Sequence, residues 1–439
     1  MATEEKAREA AVATDGRPEK PKHVPAVKVL AHLAETMYDQ AFEAKGRGEM
    51  VGWSSSNFPP EIAETFGLHV VYPESQAAAI SAKGGSLPLI EHAEGEMGFS
   101  NDICAYARIN LAYADLGKCP NGEREMPLPD FVLGATSICE TMMPWYEDLA
   151  YYLDVPMLFF DIPYNDGFEP DEKRLKYQEA QYKYVVEQLE QITGIAWDEQ
   201  RFSEVCDTSV AASKAWLEAT SYVQYDPSPM NGFDMFNHMA VATTARPKKE
   251  AVEAFNYLID ECRTFVKIHK STFKPEEKYR ILYEGIAVWP YLRSTAGPLI
   301  MQGVNVTGCV YCPAFAGVYG GSDDVRGWMR ACSDVPNCQN LERATEAREK
   351  LIKDGKCEGA LIHINRSCKM WSGFMPEMGR RIQRDLNIPV VLFDGDQSDP
   401  RNFSEAQYQT RLQGLIEIME SNKREKLGVG SGVKDEKGE

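Results

Sequence analysis

Short apolar runs alternate with amphipathic stretches in two parts of the chain. In the first part the runs are MVGWSSS (50–56), HVVYP (69–73), DFVLGAT (130–136) and VPMLFF (155–160). In the last part they are RILYEGI (280–286), VNVTGCVY (304–311), GALIHI (359–364) and IPVVLFD (388–394). Continuous apolar runs separated by helices are typical of parallel strands that are buried on both faces. We therefore predict an α/β protein with two doubly wound parallel-sheet domains.

The stretch between these two parts has helical rather than strand periodicity. Apolar residues from Leu175 to Ile192 keep helical spacing up to Gly194, which is a stop signal. Pro247 opens a second predicted helix, whose apolar face includes Cys262 and makes this thiol a core residue. The predicted division is a first α/β domain (26–168), a helical segment (169–275), a second α/β domain (276–421), and charge-rich tails (1–25 and 422–439) that are mobile or contact a partner.

The charge and the amino terminus restrict the class of protein. The 439 residues include 47 Lys and Arg against 66 Asp and Glu, a net charge of −19, and no basic patch is evident. An acidic surface repels phosphate backbones, so we expect no nucleic-acid partner. No apolar run approaches the ~18 residues of a membrane span, and the polar amino terminus lacks the apolar stretch of a signal peptide. We expect a cytoplasmic protein without membrane contact, whose eleven cysteines are mostly thiols.

Three cysteines occupy places where parallel sheets bind ligands. Cys139 and Cys368 follow predicted strands at equivalent positions of the two α/β parts, and each opens an apparent helix. Cys104 stands at a third apparent helix start. A helix amino terminus lowers the pKa of a thiol and suits the thiolate to metal binding. The separations of 35 and 229 residues match no compact zinc or ferredoxin motif, so three buried structural thiols remain the alternative at this point.

Cys309 and Cys312 form a closer pair in the sequence GCVYCP. A redox CxxC motif usually opens a helix, and none is predicted here, which disfavours a redox dithiol. One of the two thiols could still approach the same cleft as an additional ligand. The sequence has no Walker, GxGxxG or HExxH motif, so any ATP that the protein uses must be bound by another chain.

Two longer stretches resemble a known family. The run VVLFDGDQSDPR (390–401) is similar to the closing DGD-x-x-D-P segment of the 2-hydroxyacyl-CoA dehydratase and benzoyl-CoA reductase family. The run GWSSSNFPPEIAETFGLHVVYPES (52–75) resembles that family's first strand, Pro-Glu helix and second strand. With the three cysteine contexts, the resemblance covers roughly residues 45–420.

The resemblance implies a [4Fe-4S] cluster and a set of site residues. Cys104, Cys139 and Cys368 would hold the cluster, and its fourth iron would be left to water, substrate or a small ligand. Ser56 and Glu74 match positions that line the acyl pocket, although a helix cap and a solvated loop carboxylate are the alternative interpretations. His363 and Arg366 are further pocket candidates from their places near Cys368, with structural hydrogen bonding as the alternative.

The resemblance also implies partners and an activity. Family members pair with a homologous catalytic subunit and are activated by ATP-hydrolysing iron–sulfur subunits, with reduced ferredoxin as the electron donor. The length, the acidic amino-terminal extension, the Trp- and Tyr-rich stretches and the CVYC insertion look most like the larger catalytic subunit of an ATP-dependent benzoyl-CoA reductase. That enzyme is an oxidoreductase of anaerobic aromatic degradation, which reduces the ring of its aromatic acyl-CoA to a cyclic dienoyl-CoA through ketyl-type radicals. The alternatives are a subunit of a 2-hydroxyacyl-CoA dehydratase, a radical lyase, and a cluster-free structural partner.

Overall fold

The computed structural model describes residues 24–122, 125–336 and 339–426. Within these ranges the strands are β1 (Val51–Ser54), β2 (His69–Val71), β3 (Phe131–Ala135), β4 (Met157–Phe160), β5 (Tyr279–Glu284), β6 (Val304–Cys309), β7 (Gly359–Asn365) and β8 (Val390–Gly395). The helices of the first half are α1 (Ala26–Gly46), α2 (Pro60–Thr65), α3 (Pro73–Ala82), α4 (Ser86–Gly95), α5 (Ala105–Leu116), α6 (Met142–Leu153), α7 (Glu172–Thr193) and α8 (Glu199–Ser221). Those of the second half are α9 (Met235–Thr244), α10 (Lys249–Lys267), α11 (Leu292–Met301), α12 (Val325–Ser333), α13 (Leu341–Asp354), α14 (Lys369–Gly373), α15 (Met375–Leu386) and α16 (Glu405–Lys426).

Two parallel four-stranded sheets with the same topology form the framework. The strand orders are β2-β1-β3-β4 and β6-β5-β7-β8, so in each sheet the first strand of the half lies between the second and the third. Every position of β1, β3 and β6 is buried, because helices cover both faces of the sheets. The predicted α/β fold with two parallel sheets is confirmed, and each of the eight strands lies within a predicted run or extends one residue beyond it.

The middle segment is helical, as predicted, but it holds more helices than the periodicity indicated. Helix α7 begins after Asp171, whose side chain accepts from the Arg174 N–H, and it ends at Gly194, which has a φ of +69°. Helix α10 follows Pro247, and Cys262 on its apolar face is buried, as expected of a core residue. Helix α8 contains Cys206, which the sequence places in an apparent helix, whereas helix α9 was not among the predicted elements.

The two ends of the described chain are helical. Helix α1 begins at Ala26, and α16 continues to Lys426, so the first residues of the predicted carboxyl-terminal tail belong to a helix. Residues 1–23 and 427–439 lie outside the described residues, and so does most of the predicted tails. None of the helices in the described ranges is both long enough and apolar enough to cross a membrane.

The carboxyl ends of the strands point toward one region of the molecule. Ser56 follows β1, Cys139 follows β3, Cys368 follows β7 and Gln397 follows β8. One continuous cluster of buried apolar side chains includes residues of both sheets and packs against the three cysteines Cys104, Cys139 and Cys368. In open parallel sheets this edge is where ligands bind, and both sheets therefore contribute to one candidate site.

Candidate functional site

Five of the predicted site residues line one cavity. Cys104, Cys139, Cys368, Ser56 and Glu74 all contribute to its wall, and the cavity has a volume of about 100 Å³. The remaining wall is mainly aromatic and aliphatic, with Tyr106, Ile138, Met142, Trp145, Ile286, Tyr311, Phe315 and Trp371. The cysteines come from three separate segments of the chain, so the fold rather than a local motif brings them together.

Each cysteine lies where backbone N–H groups face its sulfur atom. Cys104 is the N-cap of α5 and Cys368 is the N-cap of the short helix α14, while Cys139 lies in the turn that leads into α6. The N–H groups of Tyr106 and Ala107 approach the Cys104 sulfur, and equivalent groups approach the other two. Three acceptor sulfurs thus lie among donors at the start of helical segments.

The prediction that the helix ends lower the pKa of these thiols is wrong for the metal-free chain. Burial raises the pKa of Cys104 to about 11 and that of Cys368 to about 12. The pKa of Cys139 is also raised, first by burial and then by the neighbouring sulfurs of Cys104 and Cys368. Desolvation of a thiolate outweighs the N–H groups here, so the thiols stay protonated until a cation replaces the protons.

A hydrogen-bonded network connects the Cys104 and Cys368 segments. The Ala105 N–H donates to Ser367 Oγ at 3.1 Å, and the Ser367 N–H donates to Asp396 Oδ2 at 3.1 Å. Gln397 Nε2 donates to the Cys104 sulfur at 3.2 Å. Asp396 and Gln397 belong to the DGDQSDP run, so this run holds two cysteine segments in place. The sequence analysis did not predict Gln397 as a site residue.

The donor set at this cavity is of the kind that a [4Fe-4S] cluster uses. Cysteine thiolates with hydrogen bonds to sulfur are the usual environment of such clusters. Three cysteine thiols line the cavity, and Gln397 donates to the Cys104 sulfur. Among the described residues, no group of three or more His, Cys, Asp or Glu side chains could hold a single metal ion.

Ser56 and Glu74 form a buried polar pair in the cavity wall. The Ser56 N–H donates to Glu74 Oε1 at 3.0 Å. Glu74 Oε2 makes no hydrogen bond of normal geometry among the described residues, and the Tyr146 phenol lies close to the carboxyl group. Burial raises the pKa of Glu74 to about 7, against the opposing effect of the Ser56 N–H. Ser56 is not a helix cap, since Pro59 is the N-cap of α2. Glu74 is not a solvated loop carboxylate, since it is a buried residue in the first turn of α3.

A second cavity of about 350 Å³ adjoins the first. Its wall shares Ser56, Glu74, Tyr106, Tyr311 and Phe315 with the cysteine-lined cavity. Helices α1, α3 and α9 supply its other walls, and most of their contributing side chains are small, including Ala31, Ala34, Ser75, Ala78, Ala79, Ala82, Ala240 and Thr243. The two cavities are therefore neighbours, with five lining residues in common.

His363 and Arg366 lie outside both cavity walls. His363 is fully buried, its Nδ1 is 2.6 Å from the Ile286 carbonyl oxygen, and its ring stacks on Phe393 with centroids 4.9 Å apart. Burial lowers the pKa of this imidazole. Arg366 is largely exposed and pairs with Asp394 at 2.7 Å. The structure therefore does not bring these two residues together with Ser56, Glu74 and the cysteines.

The CxxC pair also lies away from the three cysteines. The sulfur atoms of Cys309 and Cys312 are 3.7 Å apart, and both thiols are buried. Neither lines the cavity that holds Cys104, Cys139 and Cys368, whereas Tyr311 between them does. The geometry gives no support to either thiol as an extra ligand.

Comparisons with known proteins agree with this geometry. The model of the family "2-hydroxyglutaryl-CoA dehydratase, D-component" matches residues 55–419. The chain is 51% identical to the (R)-phenyllactyl-CoA dehydratase alpha subunit of Clostridium sporogenes, over 90% of this chain and 95% of the relative. It is 41% identical to the (R)-2-hydroxyglutaryl-CoA dehydratase subunit alpha of Acidaminococcus fermentans, over 92% of this chain and 99% of the relative.

Similarity to a benzoyl-CoA reductase is weaker. The chain is 26% identical to one of the benzoyl-CoA reductase subunits of Thauera aromatica, over 88% of this chain and 92% of the relative. The predicted assignment to the reductase branch is therefore not confirmed, and the dehydratase alternative has the better support.

Proposed function

This chain belongs to the 2-hydroxyglutaryl-CoA dehydratase, D-component family, and we propose that it is the alpha-type subunit of a 2-hydroxyacyl-CoA dehydratase. The observation that carries the proposal is the single cavity lined by Cys104, Cys139, Cys368, Ser56 and Glu74, joined to a second cavity that shares part of its wall. The reaction removes the hydroxyl group from C2 and a proton from C3 of the acyl chain, with no net oxidation or reduction.

The three cysteines would hold the [4Fe-4S] cluster. When bound, the cluster would supply low-potential electron transfer and an iron with an open coordination position. Gln397 and the backbone N–H groups would donate hydrogen bonds to the ligand sulfurs and keep the Cys104 and Cys368 segments in register. The apolar remainder of the wall would exclude water from the reacting atoms.

Glu74 is a group in this wall that can both hold and release a proton near neutral pH. Its Oε2 makes no hydrogen bond of normal geometry within the described residues, and its pKa of about 7 keeps a large fraction of the carboxyl protonated. A proton held on Oε2 can pass to the departing C2 hydroxyl group, which then leaves as water. The Ser56 N–H on Oε1 fixes the carboxyl in the orientation that this transfer needs.

The second cavity would admit the CoA thioester. Its small side chains on α1, α3 and α9 leave a path from the outer end, near Val27 and Lys83, to Ser56 and Glu74. A thioester arm that lies along this path would place its acyl group beside the cysteines. The proposed function also implies partners. These are a homologous second subunit, an ATP-hydrolysing iron–sulfur activator and reduced ferredoxin, and the proposed location is the cytoplasm.

Anaerobic reconstitution tests the proposal. The chain is purified with its homologous subunit, treated with the activator, ATP and a low-potential donor, and offered (R)-phenyllactyl-CoA and other 2-hydroxyacyl-CoA thioesters. We expect the 2,3-enoyl-CoA product, and we expect Cys139→Ser to lose both iron and activity. The matched control is Cys357→Ser, since Cys357 is buried outside the cavity with Thr307 Oγ1 3.4 Å from its sulfur. Equal iron loss in both variants would contradict the ligand assignment.

A further inference from the structure

Two phenol groups stand where the two cavities meet. Tyr106 and Tyr311 line both spaces. Tyr311 also lies near enough to Glu74 and Cys368 for their charges to act on its phenol. Tyr311 is therefore one of the residues that a ligand between the two cavities would meet.

A hydrogen bond anchors one of the two phenol groups at this junction. Trp289 Nε1 carries a hydrogen and no lone pair, so it can only donate, and it donates to the Tyr106 hydroxyl oxygen. The Tyr106 and Tyr311 hydroxyl groups lie close enough to interact with each other. Tyr311 lines both cavities, so its hydroxyl group can donate to an oxygen atom of a ligand there.

The CxxC motif explains how Tyr311 reaches this position. Cys309 ends β6 and Cys312 is fully buried, and the Cys312 carbonyl oxygen accepts from Trp216 Nε1 at 3.0 Å. The turn between the two buried thiols projects Tyr311 into the junction. Its ring is held on three sides by Phe236, Phe315 and Trp371, with centroid distances of 6.1, 5.6 and 5.8 Å. The motif thus supports the Tyr311 ring at the junction.

We propose that Tyr311 is a catalytic residue that donates its hydroxyl proton in a hydrogen bond to the thioester carbonyl oxygen of the substrate. Trp289 is a positioning residue, because its hydrogen bond anchors the Tyr106 hydroxyl group beside Tyr311. The inference rests on the proposed dehydratase function. A thioester carbonyl that accepts an electron gains negative charge on oxygen, and a donor already in place stabilises that charge without reorganisation.

The test is Tyr311→Phe in the complete, cluster-loaded complex. Substrate binding is measured without ATP, so that no turnover occurs, and kcat is measured after activation. Because the bond strengthens only as charge develops, kcat should fall about 100-fold while the Kd of (R)-phenyllactyl-CoA rises less than tenfold. Trp289→Phe should lower kcat about tenfold with an unchanged Kd, as expected of a positioning residue.

Tyr283→Phe is the matched control, because Tyr283 is buried near the same cysteine pair and its hydroxyl has no partner within the described part of the chain. It should keep kcat and iron content. Retention of wild-type kcat by Tyr311→Phe would overturn the inference and leave the dehydratase function intact. Loss of iron together with activity would also overturn it, since the phenol would then be structural. A wild-type complex that is inert toward every 2-hydroxyacyl-CoA would overturn the proposed function, and the inference with it.

Discussion

Replacement of Glu74 by Gln should change how the stability of the chain depends on pH. The glutamine keeps the size and the neutral form of the protonated carboxyl, and it removes the ability to ionise. Glu74 is 9% exposed, and burial raises its pKa from 4.5 to about 7. At about 1.4 kcal/mol for each pKa unit, ionising this carboxyl in the folded chain costs about 3 kcal/mol more than in the unfolded chain.

The direction in which the free energy of unfolding changes with pH follows from proton binding to Glu74. Between pH 4.5 and pH 7 the folded chain holds a proton on Glu74 that the unfolded chain has already released. The wild-type free energy of unfolding therefore falls as the pH rises through this window, and this contribution levels off above the folded pKa. Between pH 5.5 and pH 8 the loss is about 2 kcal/mol. Glu74→Gln lacks this pH-dependent loss. The free energy of unfolding of the variant, relative to that of the wild type, should therefore rise by about 2 kcal/mol between pH 5.5 and pH 8.

Urea unfolding of the metal-free chain at the two pH values measures this difference. Glu172→Gln serves as the control, because the Glu172 side chain is 62% exposed and its pair with Arg326 lies in solvent. The control should show a change below about 0.5 kcal/mol. An equal free-energy difference between Glu74→Gln and wild type at both pH values would refute the reasoning, since Glu74 would then be ionised in the folded chain at pH 5.5.

Other consequences can be checked separately. Dehydration by the wild type should slow as the pH rises above about 7 and Glu74 loses its proton, whereas a steady rate up to pH 9 would exclude Glu74 as the proton donor. In the wild type, Arg348 and Glu284 form an ion pair at 3.0 Å with both side chains fully buried. Arg348→Ala leaves the Glu284 charge buried without a partner, so it should lower the free energy of unfolding by about 3–5 kcal/mol in urea titrations. Adding Glu284→Gln to that variant should restore much of the loss, and no recovery would contradict the charge argument. Gln397→Leu should keep the iron but lower the reduction potential of the cluster by about 50 mV in an anaerobic redox titration. The reason is that the Cys104 sulfur loses a hydrogen bond that favours the reduced, more negative cluster. An unchanged potential would contradict this.

The strands were predictable because their burial is visible in the sequence. Strands β1, β3 and β6 are covered on both faces, and such strands appear as short continuous apolar runs. Helix α9 was missed because most of its residues are buried, so it has no polar face to give a helical period. Helix α7, with a solvated face and a glycine stop, showed a clear period.

The site was predictable only in part. The rule that ligands bind at strand ends pointed to Cys139 and Cys368, and Cys104 was a third candidate from its apparent helix start. The resemblance then implied that these three cysteines hold one cluster. The direction of the thiol pKa shifts was predicted wrongly, because burial depth is a property of the tertiary structure. Tyr311 lies in the CxxC motif and Gln397 in the DGDQSDP run, but neither motif marks these residues as site residues. Their roles depend on contacts across more than 200 residues of chain, such as Gln397 to Cys104.

The most direct test of the account counts electrons against product in the reconstituted complex. Dehydration is redox-neutral, so one activating electron should support many turnovers of (R)-phenyllactyl-CoA, and the enoyl-CoA formed should greatly exceed the electrons consumed. That result would establish the dehydratase. A cyclic dienoyl-CoA formed from benzoyl-CoA at two electrons for each product, with no dehydration of any 2-hydroxyacyl-CoA, would contradict it.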